Sequence, residues 1–134
     1  MATVALLSDE EVSAEALAVF DEIRALRQTD YVNNFWRSLA HDPALLRATW
    51  DRLKAVMAPG ALDPLVKEMI YVAVSTANGC QYCVHSHTAA ATAKGMTPEM
   101  HGELLAVIGM AAQTNALVTG LQTPVDAMFR ADPE

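Results

Sequence analysis

The chain has 134 residues, of which 52% are apolar and 19% charged. That composition supports a folded core, and the length suits one domain better than two. Nine Lys and Arg against sixteen Asp and Glu leave a formal net charge of −7. This argues against a dedicated nucleic-acid binder or a basic membrane-surface anchor, since both need clustered positive charge.

Alanine is the commonest residue and aromatics are only 6%, so helix propensity dominates and strand alternation is scarce. The opening MATVALLSDEEV lacks a positive n-region, and its apolar run is too short for a signal peptide, so a cytoplasmic, reducing location is expected. The first helix has two candidate starts. Ser8 with Glu11 reads as a capping box, and Ser13 offers a later cap. Val12, Ala16, Val19, Phe20, Ile23 and Leu26 recur at three- and four-residue steps, ending near Gln28. Asn33 or Asn34 opens a short helix through Trp36 and Leu39, which His41-Asp42-Pro43 closes. Pro43 suits the first turn of the next helix, whose apolar face is expected to hold Leu45, Leu46, Trp50, Leu53 and Met57.

Pro59-Gly60 is a breaker pair, and Asp63-Pro64 caps and opens a helix that reaches Ala77. Asn78-Gly79 stops it, and another helix runs from about Gln81 to Lys94-Gly95. Thr97-Pro98-Glu99 starts a further helix with Leu104, Leu105 and Ile108 on its apolar face. A separate last helical segment is expected over Ala111 to Val118, then a short turn after Thr123-Pro124. The reading is a single all-α domain over 1–134, with an N-terminal helix in 1–32 and a core in 33–122.

Two stretches lack charge, between Glu68 and Lys94 and between Glu103 and Asp126. Polar residues such as Asn78, His85, His87, Gln113, Thr114 and Asn115 interrupt both, so neither offers the ~20 continuous apolar residues of a membrane span. They read as buried helices, covered within the chain or against another subunit. Two adjacent uncharged helices exceed what one small core needs, so a homo-oligomer is expected, with the reactive cysteines near a subunit interface.

Both cysteines lie in Cys80-Gln81-Tyr82-Cys83, directly after the Asn78-Gly79 turn. At a helix start the free N–H groups and the positive dipole end favour a thiolate, and C-x-x-C spacing suits a reversible dithiol–disulfide couple. His87 lies four residues after Cys83 and seven after Cys80, on the same helical face. Glu68 joins them by geometry. It stands eleven residues before Gly79 and His87 eight after it, so in an antiparallel hairpin their heights above the turn are roughly 16 and 12 Å. A carboxylate on so apolar a helix needs a partner, and His87 is within reach. Tyr82 either packs or joins the proton relay.

Blander readings stand beside this one. The cysteines can be small buried apolar residues. Zinc is a rival, but His85 and His87 sit about 200° apart on a helix and no second Cys pair exists, so no metal is expected. His41 and His101 carry no partner signal. The methionines are spread like core filler and form no cofactor site.

Glu68, Cys80-Gln81-Tyr82-Cys83 and His87 match the E-x(11)-C-x-x-C-x(3)-H signature of AhpD-like alkylhydroperoxidases in the carboxymuconolactone decarboxylase superfamily. Gly60-Ala61-Leu62-Asp63, Ser75-Thr76-Ala77-Asn78-Gly79 and Lys94-Gly95 resemble the family as well. The resemblance runs from about Asn33 to Val118. It implies an all-helical fold assembling as trimers or hexamers, with Cys83 attacking a hydroperoxide, Cys80 resolving it into a Cys80–Cys83 disulfide, and Glu68 and His87 relaying protons. No cofactor is implied beyond an external dithiol, lipoyl or thioredoxin-like, that restores the reduced pair. The family's best-known peroxidase has histidine at the place of Tyr82 and two similar halves, where this chain holds one. The decarboxylase branch lacks the two cysteines, which argues against lactone decarboxylation. Two other readings remain at this point. One is a redox-responsive or disulfide-transfer protein acting on a protein or lipoyl partner. The other is a helical assembly protein whose cysteines only pack.

Overall fold

The computed structural model describes residues 1–131, and every regular element among them is helical. These are α1 (Ala14–Arg27), α2 (Asn34–Leu39), α3 (Pro43–Met57), α4 (Pro64–Ala77), α5 (Gln81–Ala93), α6 (Pro98–Leu121) and a 3-10 turn at Ala127–Phe129. The chain divides into two compact units, residues 1–58 and the remainder from Pro59.

In the first unit Ser13 is the cap of α1, its hydroxyl accepting from the Ala16 N–H at 3.1 Å. Ser8 and Glu11 close a turn ahead of the helix instead, with the Ser8 N–H donating to Glu11 Oε2 at 2.8 Å. Gln28 ends α1 in the left-handed conformation. Asp42 caps α3 through the Leu45 N–H, with Pro43 following in the first turn. The core of this unit joins Ala16, Val19, Phe20 and Ile23 of α1 to Val32, Trp36, Leu46 and Trp50. The Trp36 and Trp50 rings meet edge to face, 5.4 Å between centroids. Leu45, expected on the apolar face of α3, is half exposed instead. It neighbours Leu46 in sequence, and only one of two adjacent helical residues can point fully inward.

In the second unit Asp63 caps α4 through the Leu65 N–H at 2.9 Å. The reversal into α5 uses Gly79 at φ +70°, a conformation that a side chain would strain. The Cys80 N–H returns to the Ser75 carbonyl at 2.9 Å, which ties the turn to the end of α4. α4 packs against both α5 and α6.

One expectation about the uncharged stretches needs correction. α6 is one helix of 24 residues, not two shorter segments. The polar residues that suggested a break are accommodated within it: the Thr114 hydroxyl donates back to the Met110 carbonyl at 3.1 Å, so its polarity is met on the helix itself. Within one chain α5 and α6 bury little. Ala91 is the buried residue of α5, and α6 has none. By length and composition alone α6 is apolar enough to cross a bilayer.

Truncation of Trp36 tests where the core sits. Trp36→Ala should cost ~3–5 kcal/mol in urea unfolding of the full chain, whereas Leu45→Ala should stay within about 0.5 kcal/mol. Equal losses would remove the distinction.

Candidate active site

Glu68, Val72 and Ser75 are the buried residues of α4. Their spacing of four and then three residues makes one stripe along the helix. On α5, Cys83 and His87 form the facing stripe, with Cys80 as the N-terminal cap. The antiparallel hairpin puts Ser75 beside Cys83 and Tyr71 flat against His87. The Tyr71 and His87 rings lie 3.6 Å apart at 19°.

Glu68 is 6% exposed and is held by two nitrogens. His87 Nδ1 lies 2.7 Å from Oε2, and Lys94 Nζ lies 3.2 Å from Oε1. Burial raises the cost of its charge, but the bonds from His87 and Lys94 outweigh that, and the carboxyl titrates below its ordinary range. An ionised carboxylate can only accept, so Nδ1 carries the hydrogen. In neutral His87 the lone pair is therefore at Nε2.

The two thiols differ. Cys80 Sγ receives the hydrogen bond of the Cys83 thiol and that of the Cys83 N–H, the latter at 3.4 Å, and its pKa is lowered. Cys83 is pushed up to about 11, by burial first and then by its bond to Cys80 and the charge there; the Ser75 hydroxyl on its sulfur pulls the other way. Cys80 is accordingly the easier of the two to ionise, and it is the residue for which the resemblance implied the resolving role. Tyr71 is raised by burial and by negative charge at Cys83, Cys80 and Glu68, so its phenol stays protonated beside the pair.

Tyr82 is 45% exposed and lies ~140° around α5 from His87. His85 is exposed too. Elsewhere, His41 Nε2 lies 2.8 Å from the Ala5 carbonyl, and His101 is half-buried on α6. Among the described residues no three His, Cys, Asp or Glu side chains gather closely enough to hold a metal ion. Three residues of the site were not singled out from the sequence: Tyr71, Ser75 and Lys94. The first two share a stripe with Glu68, and that spacing was a usable signal. The sequence marks Lys94 as a cation at a helix end and, with Gly95, as part of the family resemblance, but not as a partner of Glu68.

The carboxymuconolactone decarboxylase family model matches residues 43–124, which include Glu68, both cysteines and His87. The chain belongs to that family. Within it, the crystal structure of the alkylhydroperoxidase AhpD core from Rhodospirillum rubrum is 66% identical, with a TM-score of 0.94 over 98% of this chain and 99% of that one. This makes the chain an AhpD-like member of the carboxymuconolactone decarboxylase family, with the helical fold of that core. An uncharacterized protein of Cupriavidus necator is 38% identical over 65 residues, 48% of this chain and 58% of its own. Uncharacterized protein 4 in the cox locus of Paracoccus denitrificans is 36% identical over 63 residues, 47% of this chain and 54% of its own. The chain thus spans little more than half the length of these two relatives.

The lowered titration of Glu68 makes stability depend on pH in a definite direction. Its contribution is complete above the unfolded value of about 4.5 and is lost as pH falls through the lower folded value. Glu68→Gln should lower stability at pH 7 by ~1–2 kcal/mol and flatten the fall between about pH 5 and pH 3. Denaturant titrations at several pH values read both; parallel curves for the two proteins would contradict the pairing.

Proposed function

We propose that the chain is a thiol-dependent peroxidase that reduces organic hydroperoxides or hydrogen peroxide through a Cys80–Cys83 dithiol–disulfide cycle. The observation that carries this reading is the 2.7 Å Glu68–His87 bond beside a two-cysteine helix start, together with the likeness to an alkylhydroperoxidase AhpD core. Cys83 cannot ionise unaided near neutral pH, and this is the reason for a base one turn away on the same face. His87 Nε2 takes the Cys83 proton while Glu68 supports the imidazolium. The Cys83 sulfur attacks the peroxide oxygen, the O–O bond breaks, and the leaving alkoxide takes the proton from His87 as alcohol. Cys83 is then a sulfenic acid. Cys80, the easier thiol to ionise, loses its proton and attacks that sulfur, forming the disulfide; the departing hydroxide takes up that proton and leaves as water. An external dithiol, lipoyl or thioredoxin-like, reduces the disulfide by exchange in a cytoplasmic, reducing compartment. The cycle uses no further cofactor.

The same proposal includes a homo-oligomer, a trimer or hexamer in keeping with the resemblance. Val107, Met110, Leu117 and Leu121 of α6 are each more than half exposed, more apolar surface than a monomer leaves in water without a use. A second copy is the better cover than a bilayer, because Gln113, Thr114 and Asn115 on α6 would lie within hydrocarbon.

Stopped-flow consumption of cumene hydroperoxide should fall by at least about a hundredfold in Cys83→Ser. In Cys80→Ser, sulfenate should accumulate on Cys83, seen by trapping and mass spectrometry. Sulfenate on Cys80 in Cys83→Ser would reverse the order of the thiols, and turnover of a disulfide substrate without peroxide turnover would favour a disulfide-transfer role. Light scattering in reducing buffer should give a multiple of 14.4 kDa, and Val107→Lys should reduce it. A single-chain mass at micromolar concentration would remove the assembly.

A further inference from the structure

The Glu68 carboxylate has two oxygens and the hairpin gives each a different nitrogen. Oε2 receives His87 Nδ1 and Oε1 receives Lys94 Nζ. Lys94 reaches this point from outside the site, with its side chain 41% exposed against 7% for Glu68. Its backbone is well fixed. Lys94 is the C-terminal cap of α5, and its N–H returns to the Ala90 and Ala91 carbonyls. Gly95 then takes φ +105°, and the N–H of buried Met96 also bonds to Ala91. The ammonium therefore starts from a helix end, where the dipole favours a cation, and ends on a buried carboxylate.

The alternatives open to Glu68 show what this does. Without a second nitrogen, either oxygen could turn to His87, and the buried acid would more readily take up a proton. A protonated Glu68 is neutral and no longer supports charge on the imidazole. We infer that Lys94 is a positioning residue of the active site: by occupying Glu68 Oε1 it reserves Oε2 for the His87 Nδ1–H bond, holds the carboxylate charged, and leaves the imidazole lone pair on Nε2. This rests on the peroxidase reading for its consequence in catalysis, but not for its geometry. The charge of Glu68 is set from α5 by His87 and Lys94. On α4 itself Tyr71 stands one turn away and Lys67 is adjacent, and α6, which packs on α4, carries Glu99, His101 and Glu103 in its first two turns.

The test compares the full-length protein with Lys94→Met and Lys94→Arg, by two readouts. Carboxyl carbon NMR of Glu68 across pH 3 to 8 should show its titration midpoint displaced upward in Lys94→Met and returned towards wild type in Lys94→Arg. Peroxide consumption by Lys94→Met should be down about two- to threefold at pH 5, a gap that narrows as pH rises to 8 and that Lys94→Arg closes. A merely structural lysine would lower rates evenly across pH. An unmoved Glu68 midpoint in Lys94→Met, or a loss that Lys94→Arg does not repair, overturns the inference. Wild-type protein without peroxide turnover would instead overturn the function proposed above, while a displaced midpoint would still support the role of Lys94.

Discussion

A carboxylate that keeps its charge inside a helical hairpin sets the terms for everything around it. Removing such an ion from water costs several kcal/mol even after relaxation, and a single charge-assisted hydrogen bond returns about 1.5–3 kcal/mol. One partner therefore falls short of Glu68's need and two bring it near balance, which is how many it has. Meeting that need fixes the register of α4 against α5. Once His87 and Lys94 both reach Glu68, Tyr71 must lie on His87 and Ser75 must face Cys83. The site is thus organised from its buried end outward, and the cysteines at the turn inherit their placement from it.

The turn itself separates two thiols that the motif alone would treat alike. Cys80 precedes the first residue of α5 and collects the hydrogen bonds of a helix start. Cys83 lies one turn in and meets desolvation together with the charge of its neighbour. Position relative to a helix end, a difference of three residues, decides which sulfur ionises more readily. The order of ionisation need not be the order of attack, because the thiol harder to ionise is the one a single helical turn from the base.

Much of this was legible in the chain. Pro43, Asp63-Pro64 and Thr97-Pro98 mark three helix starts that the structure has, because a cap and a first-turn proline act through purely local geometry. Glu68 and His87 were paired by counting residues from one turn, which works because a short hairpin converts sequence distance into height. Lys94 escaped that count. It reaches Glu68 with a long side chain from a helix end, and periodicity does not record reach. The continuity of α6 was missed because Gln113, Thr114 and Asn115 look like a loop, and the hydroxyl's return to its own helix is invisible in composition. Hydropathy registers the demand of the uncharged helices for cover without saying whether the same chain supplies it. The actual core formed where apolar residues alternate with charged ones, in α1 and α3, because amphipathic faces carry their own instruction about which side turns inward.

The helix cap has an electrochemical consequence. The bond that Cys80 Sγ receives from the Cys83 thiol belongs to the dithiol form, and forming a disulfide would consume the hydrogen that makes it. Whatever this bond contributes is withheld from the oxidised state, and for a two-electron couple ~1.4 kcal/mol corresponds to about 30 mV. A cap of this kind therefore biases the pair towards giving up its disulfide: the hairpin turn that presents the sulfurs also sets how oxidising they are once joined.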